Sequence, residues 1–230
     1  MKLLINGDSH TAGAEAVNAH AFAEDDPKYN YLQRQPHPDN LRVSWGKKLG
    51  NMLNLSTHIL AESASSNERI LRTTNLWLAE NNAKDVFVII QWSTWEREEW
   101  NIDGEYFQVN ASGIDWVPDS HKERYKEFIA SIDWTRCTNN WHKRIVKYHE
   151  YLSKQGIPHL FFNGNSNFSK IKEQYDFGPS YIEPYTGSYD KWLQDNGYST
   201  VAPDSYHYDE RAHGAWAKRV MRHILDNKLV

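Results

Sequence analysis

Three residues of this chain have the types and the context for nucleophilic chemistry: Ser9, His207 and Asp204. A serine hydroxyl is a weak nucleophile until a neighbouring base takes its proton, and histidine titrates in the range where it can do so. A carboxylate must then hold the imidazole in one tautomer and stabilise its charged form. Ser9 follows the apolar run Lys2-Leu3-Leu4-Ile5 through Asn6-Gly7-Asp8, which reads as a buried parallel strand ending in a sharp turn. Open α/β sheets bind ligands beyond the carboxyl ends of their strands, so a hydroxyl here stands where chemistry is done. Gly7 permits the turn, and a helix begun at Asp8 or Ser9 would aim free backbone N–H groups at whatever Ser9 attacks. Near the other end, Asp204-Ser205-Tyr206-His207 places acid and imidazole three residues apart on one loop. One turn can then present His207 toward Ser9 with Asp204 behind it. Taken singly, each has a plainer reading: a strand-to-helix turn, a turn aspartate, a surface histidine ahead of a helix. His213 falls inside the last helix and reads as structural.

A third segment adds to these two. Ser65-Ser66-Asn67-Glu68-Arg69-Ile70 comes straight after the apolar stretch His58-Ile59-Leu60-Ala61. Gly-Asp-Ser after the first strand, small residues with Asn after the second and a late Asp-x-x-His together resemble the SGNH (GDSL-type) hydrolases. The resemblance runs through nearly the whole chain in order, with insertions in the interior. It implies an acyl transfer with Ser9 as nucleophile, His207 as base and Asp204 as its carboxylate partner. It also implies three oxyanion donors: the Ser9 N–H, a glycine N–H after the second strand and an asparagine side chain after the third. The glycine position falls on Ala64 or Ser65, and any residue but proline keeps that donor. The asparagine position falls on Ser93, whose hydroxyl is shorter than an amide, with Asn67 as a substitute donor. No metal or other cofactor is called for.

Aromatic residues make up 13% of the chain and ten are tryptophan. Trp92, Trp95, Trp100 and Trp116 gather near the exit of the third strand, where such faces could stack on sugar rings; ordinary packing is the competing reading for each. Arg69 and Arg97 follow strand ends and could hold a carboxylate or phosphate, or else pair with Glu68, Glu96 or Glu98. His142 and His149, seven apart, read as one exposed helix face, and the remaining histidines show no spacing that gathers metal ligands.

The elements that must position these groups follow from periodicity. Residues 12–23 are alanine-rich and predict a first helix, capped by Thr11 or Ser9 and ended by Asp25-Asp26-Pro27. Residues 28–40 predict a long loop at the mouth of the site, with Asn40 capping a helix through Trp45 and Leu49. Ser66 and Asn67 start another helix, with Ile70, Leu71, Leu76 and Leu78 turned inward and Asn81-Asn82 closing it. Val86-Phe87-Val88-Ile89-Ile90 is the clearest strand, and Asp103-Gly104 suits a hairpin turn. Helices follow over residues 122–132 and 134–155, with Gly156 past the end of the second, and then a strand over residues 157–162. Residues 163–202 read as an irregular lid with a short helix over 189–195, and Asp209 caps a last helix with Ala212, Trp216, Val220 and Ile224 on its apolar face. Alternating strands and helices predict a three-layer α/β/α sandwich on a mostly parallel sheet, flavodoxin-like in the manner of the SGNH fold. It would be one domain over residues 1–230 with insertions at about 24–40, 96–120 and 163–202.

The length allows a sizeable core, and 40% hydrophobic with 24% charged residues places the chain among globular proteins. A net charge of −4 without a basic tract argues against nucleic acid as partner, and Cys137, the single cysteine, excludes an internal disulfide. The initial apolar run is too short for a signal peptide and no segment reaches membrane-span length, so the expectation is a cytoplasmic protein with no membrane partner. The functional expectation is a serine esterase acting on a small-molecule or glycan ester, with an O-acetylated carbohydrate as one substrate and acyl transfer to a sugar left open. The competing expectation is a catalytically weak or inactive module that keeps the fold and binds glycans.

Overall fold

The computed structural model describes residues 1–23, 35–111 and 118–230. At its centre, five parallel strands stand in the order β2-β1-β3-β6-β7: β1 Lys2–Asn6, β2 Ser56–Ile59, β3 Val86–Trp92, β6 His159–Asn163 and β7 Tyr181–Ile182. β3 lies between β1 and β6 and is buried along all seven residues, which is why it reads as an unbroken apolar run rather than an alternating one. The chain reverses its direction of strand addition at β1, so β1 and β3 bracket a switch point, where sheets of this order bind ligands.

Helices cover both faces. On one, Leu3, Ile5, Phe87, Ile89 and Phe162 meet α3 (Trp45–Leu53), α7 (Tyr189–Asp195) and α8 (Glu210–Asp226). On the other, Leu4, Val88, Ile90, Trp92 and Phe161 meet α4 (Asn67–Glu80) and α6 (Trp134–Lys154). The molecule is therefore the three-layer α/β/α sandwich the alternation predicts. The hairpin β4 (Glu98–Ile102) and β5 (Glu105–Val109) packs with α5 (Lys122–Ser131) through Trp100, Val109, Tyr125 and Phe128. Its turn places Asp103 and Gly104 at φ of 51° and 89°, as a type I′ turn needs. No helix of the described residues is long and apolar enough to cross a membrane.

Several local expectations give way to side-chain hydrogen bonding. The first helix, α1, is one turn long (Ser9–Ala12): Asp8 caps it through the His10 N–H, and Gly13 ends it in the left-handed region. The alanine-rich stretch beyond is wound into turns. Asn40 is no cap but lies buried inside α2 (Pro38–Val43), where it bonds the backbone of Val17, Asn18 and His20; Ser44 caps α3. Leu76 is 51% exposed rather than inward. His142 and His149 turn inward, His142 bonding the Tyr185 hydroxyl at 2.8 Å and His149 the ring of His159 at 2.8 Å. They share the spacing of the core residues Trp141, Ile145, Tyr148 and Leu152, so the same helix face serves both. Residues 25–27, most of the 28–40 loop and Trp116 lie outside the described residues.

Candidate active site

The carboxyl ends of β1, β2, β3 and β6 deliver their following turns to one end of the sheet. β1 leads into Gly7-Asp8-Ser9. A Cβ on Gly7 would lie 2.4 Å from Thr11 Oγ1 and 2.8 Å from Gln91 Oε1, so only glycine lets the turn pass this close to β3. Gln91 then accepts from the Thr11 hydroxyl at 2.8 Å and the Asp8 N–H at 3.4 Å. Asn6 ties the strand end to α4 through Ile70 O, Thr73 and Thr74, and its own Oδ1 takes the Gly7 N–H. These bonds fix the segment that carries Ser9.

Ser9 and His207 line one cavity of about 450 Å³, a size suited to a small ligand. No hydrogen bond joins them among the described residues. The Ser9 hydroxyl has no partner, and its backbone N–H has no acceptor among the described residues. Around them the wall carries His10, Ala64, Thr94, Arg97, Asn110 and Asn165, with Phe22 and the 76%-exposed Tyr206.

The carboxylate nearest the imidazole comes from Glu15, not Asp204. Glu15 Oε2 lies 3.2 Å from His207 Nδ1, within ion-pair reach but without the alignment of a hydrogen bond. The Ser205 hydroxyl donates to the same oxygen at 2.5 Å and accepts the His207 N–H at 2.9 Å, which clamps the loop to Glu15. Asp204 sits on the exposed corner of a turn closed by the Ser205 N–H on Ala202 O at 3.1 Å, and makes no side-chain hydrogen bond among the described residues. Glu15 adopts φ +62°, a left-handed conformation that costs a non-glycine residue roughly 1–2 kcal/mol.

Of the oxyanion candidates, Ala64 joins Ser9 in lining the cavity with a backbone N–H that has no acceptor among the described residues. It occupies the third position of a turn closed by Ser65 N–H on Glu62 O at 3.2 Å, with φ +65°, where glycine is usual. Ser65 is fully buried, its N–H and hydroxyl both committed to Glu62 O. Ser93 is also buried: its hydroxyl donates to Asp8 Oδ2 at 2.8 Å and accepts from Arg97 Nη1 at 2.9 Å. The Asn67 amide bonds the Ser93 and Thr94 carbonyls and accepts the Ser93 N–H, so it pins α4 to the end of β3 and does not reach the cavity. Trp92 is a core side chain packed on Phe161 and Tyr148, while Trp95 stacks on Phe168 at 4.5 Å; neither lines the cavity.

Beneath the cavity floor lies an ion pair. Burial alone would raise the Asp8 carboxyl. The charges of His10 and Arg97 and the hydrogen bonds of Ser93 and Gln91 outweigh it and hold Asp8 below the usual carboxylate range. Burial pushes His10 down, with His207 adding to the effect against Asp8, Asp190 and Asn165. His213 is buried behind it, accepts the Trp45 N–H at 3.3 Å and is pushed down to about 3, by burial first and then by His10, His207 and Lys48. Arg69 pairs with Glu62 at 2.8 Å, away from the cavity.

Sequence reasoning missed His10, Glu15 and Asn165. His10 adjoins Ser9 and was readable from that alone. Glu15 sits in a stretch whose composition predicts helix, and only the left-handed turn brings it to His207. Asn165 follows β6, whose place beside β3 is a matter of topology.

A sequence-family model described as a family of unknown function (DUF6071) matches residues 32–183, a stretch that includes Ala64, Ser93 and Arg97 but neither Ser9 nor His207. No curated protein matches the chain. Among solved structures, it is similar to a protein provisionally named an arylesterase from Agrobacterium tumefaciens (14% identity, 99% of this chain and 100% of that one, TM-score 0.48). It is also similar to a protein provisionally named a lipolytic protein of the G-D-S-L family from Desulfitobacterium hafniense (13%, 96% and 98%, TM-score 0.39). A third is an acetyl xylan esterase from Butyrivibrio proteoclasticus (13%, 98% of this chain and 63% of that one, TM-score 0.42).

Proposed function

The chain belongs to the family of unknown function DUF6071, and for this member we propose a serine esterase that cleaves a small acyl ester of a hydroxyl-rich alcohol such as a carbohydrate. The observation that carries the reading is the shared cavity of Ser9 and His207, with the Glu15 carboxylate 3.2 Å behind the imidazole. Nδ1 faces Glu15, which leaves Nε2 as the ring nitrogen to take the Ser9 proton. Hydrogen bonds of this kind often close only when substrate arrives, so the open Ser9–His207 gap is compatible with catalysis. Two residues in left-handed conformations, Glu15 and Ala64, border this one site, where strain of that kind tends to collect.

The Ser9 oxygen attacks the ester carbonyl while its proton passes to His207. The carbonyl electrons move onto oxygen, which meets the N–H groups of Ser9 and Ala64. Collapse expels the alcohol, reprotonated by His207, and water repeats the cycle on the acyl-enzyme. The polar wall of Asn110, Asn165 and Thr94 suits an alcohol bearing further hydroxyls, and the 76%-exposed Tyr206 offers a flat face to a ring. The test is a fluorophosphonate probe together with short-chain nitrophenyl esters and acetylated sugars. Labelling and turnover are expected, both lost in Ser9→Ala. A folded wild-type chain that gives neither result would leave the non-catalytic glycan-binding module as the better reading.

A further inference from the structure

Arg97 lines the cavity, and the mechanism above leaves it unused. Its Nη1 lies 2.9 Å from Ser93 Oγ, 3.3 Å from Asp8 Oδ2 and 3.4 Å from Ser65 O. Asp8 immediately precedes Ser9 and Ser65 immediately follows Ala64, so the guanidinium is anchored on the neighbours of both free backbone donors. Ser93, the third anchor, stands where the resembled family carries its asparagine. Nη1 takes all three contacts, Nε is buried without an acceptor, and Nη2 has no acceptor among the described residues. The side chain is 19% exposed and lines the cavity, and it also borders a smaller pocket beside Trp95 and Arg144.

We propose that Arg97 is the third oxyanion donor of this site, a catalytic residue that takes over from Ser93 the role an asparagine has in SGNH hydrolases. This rests on the esterase reading. As the Ser9–carbon bond forms and the carbonyl π electrons move onto oxygen, the new anion is held by the Ser9 N–H, the Ala64 N–H and Arg97 Nη2. When the carbon–alkoxide bond breaks, the electrons return to the carbonyl, and the proton held by His207 leaves with the alcohol. Serine suits position 93 because its short hydroxyl bridges Asp8 and Arg97. Asp8 balances the added positive charge, so the cavity gains a strong donor without a buried unpaired cation.

The experiment compares kcat and KM for a nitrophenyl ester in wild type, R97M, R97K, D8N and the double variant D8N/R97M, each checked for folding by its thermal melt. R97M is expected to lower kcat on the order of a hundredfold or more with little change in KM, and R97K to recover part of the loss. The double variant separates catalysis from structure, since it removes the carboxylate that R97M leaves uncompensated. It should stay as far below D8N as R97M stays below wild type. Should D8N/R97M match D8N, or folded R97M keep kcat within threefold of wild type, Arg97 is only a counter-ion for Asp8 and the inference fails while the esterase reading stands. A wild-type chain that neither labels nor hydrolyses overturns both.

Discussion

Acidifying the solution from pH 7.5 to 5.5 should destabilise this protein by about 3 kcal/mol through two buried histidines alone. His213 is 1% exposed and pushed down to about 3; His159 is 4% exposed and pushed down to about 4, by burial first, with the Ile157 carbonyl opposing and His149 adding. In the unfolded chain both return to the ordinary value of 6.5. Above that value both states are neutral and nothing depends on pH. Below it the unfolded state takes up protons that the folded state refuses, so stability falls as pH falls, and continues to fall until the folded values are reached. At pH 5.5 about nine-tenths of each unfolded imidazole is charged, worth about 1.4 kcal/mol per histidine. That figure changes little wherever the folded values lie below about 4.5, because the folded rings are then neutral throughout the interval. His10, His58, His142 and His149 are all shifted down by burial and act in the same direction. Glu68 opposes them: burial holds its carboxyl above the usual 4.5, so its contribution rises as pH falls through its titration. Asp8 enters only below about 3.8, outside the interval. Urea melts at pH 7.5, 6.5 and 5.5 measure the difference, and thermal midpoints should drop by about 6–12 °C. His213→Asn keeps an acceptor for the Trp45 N–H and cannot titrate, so its pH difference should shrink by about 1.4 kcal/mol relative to wild type. Equal wild-type stability at pH 7.5 and 5.5, or an unchanged difference in His213→Asn, would refute the argument.

Three further outcomes test the site and its frame. Glu15→Gln should lower kcat/KM on the order of a hundredfold or more while Asp204→Asn stays within twofold of wild type, as read from initial rates on a nitrophenyl ester; the reverse order would restore Asp204 as the partner of His207. Ala64→Gly relieves a left-handed alanine and should raise stability by about 0.5–1 kcal/mol in urea melts once the looser unfolded chain is allowed for. Trp92→Ala, which removes a fully buried ring from the face packed against α6, should cost about 3–5 kcal/mol in the same assay, and sugar binding measured by calorimetry should not single out this residue.

What the sequence made legible follows the range of the interactions involved. β3 announces itself because a strand buried on both faces has no polar positions, and α8 because Asp209, Ala212, Trp216, Val220 and Ile224 repeat at helical spacing against the sheet. Ser9 and His207, which the fold brings to one cavity, could be singled out as candidates because the turn chemistry around each is local. Asp204 misled for the same reason: an acid three residues from a histidine is a local signal, and the partner that the fold supplies is 192 positions from His207 in sequence, on a residue whose backbone leaves the helical region. The isolated β7, two residues long, offers no periodicity at all and is a strand only because β6 is beside it.

Ser93 and Arg97 show how a departure from a resembled pattern is to be weighed. Read alone, serine in place of asparagine removes a donor, and a missing oxyanion donor is worth on the order of a hundredfold in rate. Set in the sheet, the same serine gives up its hydroxyl to Asp8 and receives a guanidinium from four residues downstream, and that guanidinium belongs to a residue lining the cavity. Substitution at one position of a site is therefore uninformative until the space it vacates has been traced to its new occupant. Here that occupant carries a charge, balanced by an aspartate at the residue before the candidate nucleophile. A cationic donor stabilises an anion more strongly than a neutral amide does, but it also attracts anions in the ground state. Inorganic anions should accordingly compete with ester substrates for this cavity, and the competition should weaken in R97M.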